Sequence, residues 1–151
     1  MTKEEIFELI REMYQNHLSF HRLIGIQVNS IDAERAEMQI KMRPDLVGNP
    51  VFQNLHGGVT SSLLDSTGGM VAAANIINSL DDLSSENIQR RLSKLGTIDL
   101  RVDYLRPGRG ELFIASARII RQGNKVAVAR MEMHNEKGDE IALGTATYLV
   151  G

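Results

Sequence analysis

His56, Gly57 and Gly58 stand in a row, and Asp65 follows eight residues after the first glycine. Glycines that open a helix leave backbone N–H groups accessible, and a helix N-terminus favours negative charge. Such a place can hold the oxyanion that forms during acyl transfer. The same glycines fit a plain turn from loop into helix, and the residues alone leave both readings open. Asp65 is the sole formal charge between Leu55 and Leu80. A carboxylate in apolar surroundings costs free energy unless it is paired, hydrogen-bonded or wet, and functional carboxylates tend to sit in such places. A cleft at a subunit interface would supply water; capping N–H groups or an arginine from a strand would serve a purely structural role.

Other chemistries are narrowed quickly. The chain has no cysteine, which excludes disulfides, zinc ribbons and cysteine nucleophiles. His17 and His21 lie four apart without a third ligand nearby, which favours helix-end packing, and no metal site is expected. His134 precedes an exposed turn. No nucleophile elbow, phosphate-binding glycine loop or dinucleotide fingerprint occurs. Arg90, Arg91, Lys94, Arg106, Arg109 and Lys125 could meet ligand phosphates, although a solvated surface is the simpler reading for most of them. Arg106 and Lys125 are retained as candidate substrate contacts.

With 151 residues the chain matches one ordinary domain, expected to span 1–151. Seventeen Lys and Arg against nineteen Asp and Glu leave a net charge of −2, which offers no electrostatic case for nucleic acid or an anionic membrane. Leu55–Leu80 carries His56, Asp65, Asn75 and Asn78, so it makes a poor membrane span and a better buried helix. The start, MTKEEIFELI, is acidic and amphipathic, unlike a signal peptide, and implies a cytoplasmic protein.

The elements that must position these residues follow from periodicity. Thr2 and Glu5 fit a capping box, and Ile6, Ile10, Met13 and His17 give one apolar helix face about four turns long. Ile24, Ile26 and Val28 alternate as a strand within 23–31. Ala36, Met38, Ile40 and Met42 alternate after a turn at 32–34. Pro44 ends that strand, and Gly48-Asn49-Pro50 opens a loop. Residues 57–78, rich in Gly, Ala and Ser, read as a helix enclosed on most sides. A second helix is expected over 81–95, with Ser84 or Ser85 as N-cap. Strands are expected over 97–105, 112–121, 125–134 and 141–150, with tight turns at Gly123-Asn124 and 136–139. Ala127, Ala129, Met131 and Met133, with Ala142, Gly144 and Ala146, make a small-residue face suited to a helix lying on the sheet. The expected class is α+β, a curved, largely antiparallel sheet wrapped around the long central helix.

The run LHGGVTSSLLDSTGG (55–69), then GTIDLRVDYLRPGRG (96–110) and RQGNKVAVARMEMHNEKGDEIALGTATYLV, resembles the hotdog-fold acyl-CoA thioesterases, most closely the group related to the phenylacetyl-CoA pathway. The resemblance covers Tyr14 to Val150. It implies that Gly57 N–H polarises the thioester carbonyl, that His56 and Gly58 shape the turn, and that Asp65 is the catalytic carboxylate, as general base or nucleophile. It implies that Thr97 helps position water and that a loop Asn or Gln lines the site; Asn49, Gln53 and Asn54 compete, with Asn49 preferred. It further implies an acyl-CoA substrate, no cofactor beyond the coenzyme A of that substrate, and dimers or dimer-of-dimers tetramers whose sites draw on two chains. The aliphatic and Met-rich composition favours an aliphatic acyl group over an aryl one, and the expected substrate is a medium- to long-chain aliphatic acyl-CoA. A non-catalytic acyl-CoA-binding protein and a hotdog dehydratase or hydratase are the rival readings, the latter disfavoured because His56 runs directly into two glycines.

Overall fold

The computed structural model describes residues 1–151. Helix α1, Lys3–Glu12, begins at the expected capping box: Thr2 Oγ1 accepts from Glu5 N at 3.2 Å and Glu5 Oε2 accepts from Thr2 N at 2.8 Å. Ile6 and Ile10 are buried as expected. The stripe then departs from the sequence reading. Tyr14, four residues after Ile10, takes the inward position, and a π-helical turn over Met13–His17 changes the phase beyond it, leaving Met13 and His17 exposed. Helix α2, Ser19–Ile24, follows and stops at Gly25, whose φ of 83° suits only glycine without strain. Ile24, expected in a strand, is therefore helical.

Strands β1 (Ile26–Ile31) and β2 (Arg35–Lys41) form the expected hairpin, closed by Asp32 Oδ1 accepting from Glu34 N and Arg35 N at 2.8 Å each. Residues expected only as loop contain a small ribbon, β3 (Val47–Asn49) with β4 (Asn54–Leu55). Helix α3 spans Gly57–Asn78, and α4 spans Ser85–Leu92 with Ser84 as N-cap, shorter than expected. The chain closes with β5 (Gly96–Tyr104), β6 (Leu112–Gln122), β7 (Val126–Asn135) and β8 (Glu140–Leu149).

Six strands form one antiparallel sheet in the order β1-β2-β6-β7-β8-β5. The sheet packs around α3, twelve of whose residues are buried, because Ala127, Ala129, Ala142 and Ala146 let the helix approach closely. This is the α+β wrapped-helix arrangement expected from periodicity. No helix is long and apolar enough to cross a membrane. Strand β5 pairs only with β8, so its other edge is free, and Ile98, Tyr104 and the following Leu105 are exposed there.

Candidate active site

Asp65 projects from α3 between the first residues of β5 and the last of β8. Thr97 Oγ1 donates to Asp65 Oδ1 at 2.9 Å. The Tyr148 hydroxyl, directly across the β5–β8 ladder from Thr97, lies 3.1 Å from the same Oδ1 and 2.9 Å from the Asp65 carbonyl oxygen. Asp65 Oδ2 accepts no hydrogen bond from the chain, and the residue is only half-buried. One carboxylate oxygen is thus tethered and the other is available to a water.

Room for the Tyr148 hydroxyl comes from Gly68, where a β-carbon would overlap it. The shell behind the carboxylate is buried and polar. His21 Nδ1 lies 2.9 Å from the Tyr14 carbonyl, which can only accept, so Nδ1 carries the proton and Nε2, 2.8 Å away, accepts from Ser66 Oγ. Burial pushes the His21 pKa down, opposed by its bond to Tyr14 and by the Asp65 charge. Burial pushes the Tyr14 and Tyr148 hydroxyls up, and the Asp65 charge pushes them further. Tyr148 therefore stays a proton donor facing the carboxylate across ordinary pH. The sequence reading missed Tyr148, although it continues the inward alternation of Ala142, Gly144 and Ala146 as the one polar side chain in that row.

The second group of predicted residues surrounds the start of α3. His56 is the N-cap, and its Nδ1 accepts from Gly58 N at 2.8 Å. The Gly57 N–H donates to no group of the chain. The Gly57 carbonyl is fixed by the Tyr104 hydroxyl at 2.7 Å, and the Gly58 carbonyl by the Ser61 and Ser62 hydroxyls. His56 N bonds Leu46 O and Leu55 N bonds Gly108 O, both at 2.8 Å, which anchors the turn from both sides. A free N–H at the positive end of a 22-residue helix is a suitable donor to developing negative charge.

The remaining predicted residues are distributed between these two places. Asn49 is exposed at the end of β3, where its Oδ1 accepts from Val51 N and Phe52 N at 2.9 and 3.3 Å. Arg106 is exposed beside the Pro107-Gly108 turn that contacts Leu55, at the Gly57 end. Lys125 is exposed on the β6–β7 turn, and its carbonyl accepts from Val150 N at 2.8 Å, at the Asp65 end. The structure joins Asp65 with Thr97, and His56 with Gly57 and Gly58. It does not join the two groups within one chain, because eight residues of α3 separate them by about 12 Å. No cluster of His, Asp and Glu side chains is arranged to hold a metal ion.

The profile of the thioesterase superfamily matches residues 52–142. The chain is 46% identical, over all of its length and 97% of the other protein, to the medium/long-chain acyl-CoA thioesterase YigI of Escherichia coli strain K12. A crystal structure from Shewanella oneidensis, described as related to the thioesterase superfamily, shares 48% identity with a TM-score of 0.95, covering 99% of this chain and 97% of that one. The Escherichia coli PaaI protein from the phenylacetic acid degradation operon shares the fold, with a TM-score of 0.78 at 20% identity over 100% of this chain and 96% of that one. The chain belongs to the thioesterase superfamily, as a thioester hydrolase of the hotdog fold.

Proposed function

We propose that this protein hydrolyses acyl-CoA thioesters to free acid and CoA, with medium- to long-chain aliphatic acyl groups as substrates. The name of the 46%-identical Escherichia coli relative supports the substrate class. The observation that carries the mechanism is the Asp65 carboxylate, tethered through Oδ1 and open at Oδ2. A water on Oδ2 gives its proton to the carboxylate as its oxygen bonds the thioester carbon. The carbonyl oxygen takes negative charge and is held by a Gly57 N–H. Collapse of that adduct breaks the C–S bond, and CoA leaves as its thiol with the proton that Asp65 received.

The Gly57 donor comes from a second copy of the chain. Thr97, the second residue of β5, holds Asp65, and Tyr104, its last, holds Gly57. Pairing two β5 free edges antiparallel about a two-fold axis lays the beginning of one strand beside the end of the other. Both carboxylates then meet the partner's amide. On this reading the protein is a dimer, or a pair of dimers, working in the cytoplasm. His56 and Gly58 hold the turn, Asn49 offers its free amide NH₂ to the substrate, and Arg106 and Lys125 contact CoA.

The test is thiol release from short, medium, long and aryl acyl-CoAs by wild type and by Asp65→Asn. Hydrolysis of the medium and long members, falling about 10²- to 10⁴-fold in the variant, is expected for loss of a general base. Acyl-CoA binding without thiol release would instead mark a non-catalytic carrier. Full activity in a folded Asp65→Asn protein would overturn the role of the carboxylate.

A further inference from the structure

A cavity of about 690 Å³ opens where α3 and α4 end and β6 turns into β7, lined by Arg90, Arg91, Lys94 and Gln122 with Asn75 and Ser79. No acidic and no apolar side chain borders it. None of the three cations enters any of the chain's five ion pairs. Cations near the C-terminal end of α4 are favoured by that helix's dipole, which accounts for their position but leaves three positive charges unneutralised around a cavity without an acidic group. A ligand that neutralises them must offer anionic oxygens, and phosphate oxygens match the guanidinium forks.

The cavity also has a fixed place relative to Asp65. Lys94 is three residues before Thr97, and Gly151, on the cavity rim, is three residues after Tyr148. Each pair of α-carbons is therefore at most about 11 Å apart. Thr97 and Tyr148 are the two residues that hold the Asp65 carboxylate. We infer that this cavity binds the phosphorylated adenosine end of CoA, with its phosphates on Arg90, Arg91 and Lys94. The inference rests on acyl-CoA being the substrate, and it places the nucleotide beyond the Asp65 end of the site.

The experiment pairs titration calorimetry with 3′,5′-ADP and kinetics on an acyl-CoA and the matching acyl-pantetheine. The proteins are wild type, Arg90→Gln/Lys94→Gln and Arg91→Gln. Arg90 and Lys94 are exposed, so the double variant tests the site without disturbing packing. The expected result is salt-sensitive 3′,5′-ADP binding that weakens at least tenfold in both variants. KM for acyl-CoA should rise similarly with kcat held, and acyl-pantetheine turnover should not change. Binding of 3′,5′-ADP through these residues in a protein that hydrolyses nothing would sink the thioesterase reading and keep the site. Hydrolysis with unaltered KM in both variants, or 3′,5′-ADP binding that ignores them, would overturn the site alone.

Discussion

The hydroxyl of Tyr148 occupies the space that a side chain at Gly68 would fill, and from there it reaches both the carbonyl and the carboxylate of Asp65, three residues earlier on α3. The glycine, the tyrosine and the aspartate thus form one packing unit. In a buried, close-packed interior, a methyl group added at position 68 has nowhere to go except into the tyrosine or the Met131 sulfur.

Gly68→Ala should therefore lose about 1–3 kcal/mol of stability through overpacking, even though alanine is the better helix former. Adding Tyr148→Phe should return part of that loss, giving a non-additive pair. Urea unfolding of the four proteins in the cycle measures it.

Tyr148→Phe and Thr97→Val each remove one hydrogen bond to the carboxylate. A bond to a charged group is worth about 1.5–3 kcal/mol, so kcat should fall roughly tenfold or more with KM little altered. Unchanged kcat in both would show that the tethered oxygen is irrelevant to the reaction.

Gly57→Pro deletes the N–H while leaving a residue well suited to the first position of a helix, and His56, at ψ 132°, already has the conformation that precedes proline. The variant should fold and be inactive. Mixed one to one with Asp65→Asn and allowed to exchange subunits, it should recover about one quarter of wild-type activity, because half the dimers regain one of two shared sites. No recovery on mixing would mean that both groups act within one chain.

His21 contributes a pH dependence whose sign is fixed by its burial. Its folded pKa lies below the ordinary 6.5, so on acidification the unfolded chain takes up the proton first and stability falls. Stability should be full above about pH 7 and should drop as pH falls through the sixes. His21→Gln should flatten that slope in melting temperatures measured between pH 7.5 and 5.5. Glu136, held low by backbone N–H groups, adds its own loss only below the ordinary 4.5 and stays separate.

Much of this arrangement is legible in the residues. The capping box at Thr2 and Glu5, the alternation in β2, β7 and β8, and the small residues of 57–78 correctly gave a sheet around an enclosed helix. The π turn was not legible, because one inserted residue changes the phase of an apolar stripe without changing its composition. Met13 and His17 were expected inward, and Tyr14 and His21 took those roles. The ribbon of β3 and β4 is too short to carry a periodicity. Strand order is set by long-range pairing: that β5 lies beside β8, and so brings Thr97 opposite Tyr148, cannot be read from either segment alone. The partnership of Asp65 with Thr97 was reachable only through family resemblance, whereas Tyr148 was visible as a lone polar side chain in an inward row.

Strand β5 also acts as a ruler. Its length fixes the spacing between the residue that grips the carboxylate, Thr97, and the residue that grips the helix start, Tyr104. Inserting or deleting two residues between them would keep every side chain on its proper face, leave the hydrophobic pattern intact and preserve the fold. In a two-fold assembly it would nonetheless slide carboxylate and amide apart by about 7 Å at both sites at once. Inheritance at this strand should therefore tolerate many changes of residue type and almost none of residue number.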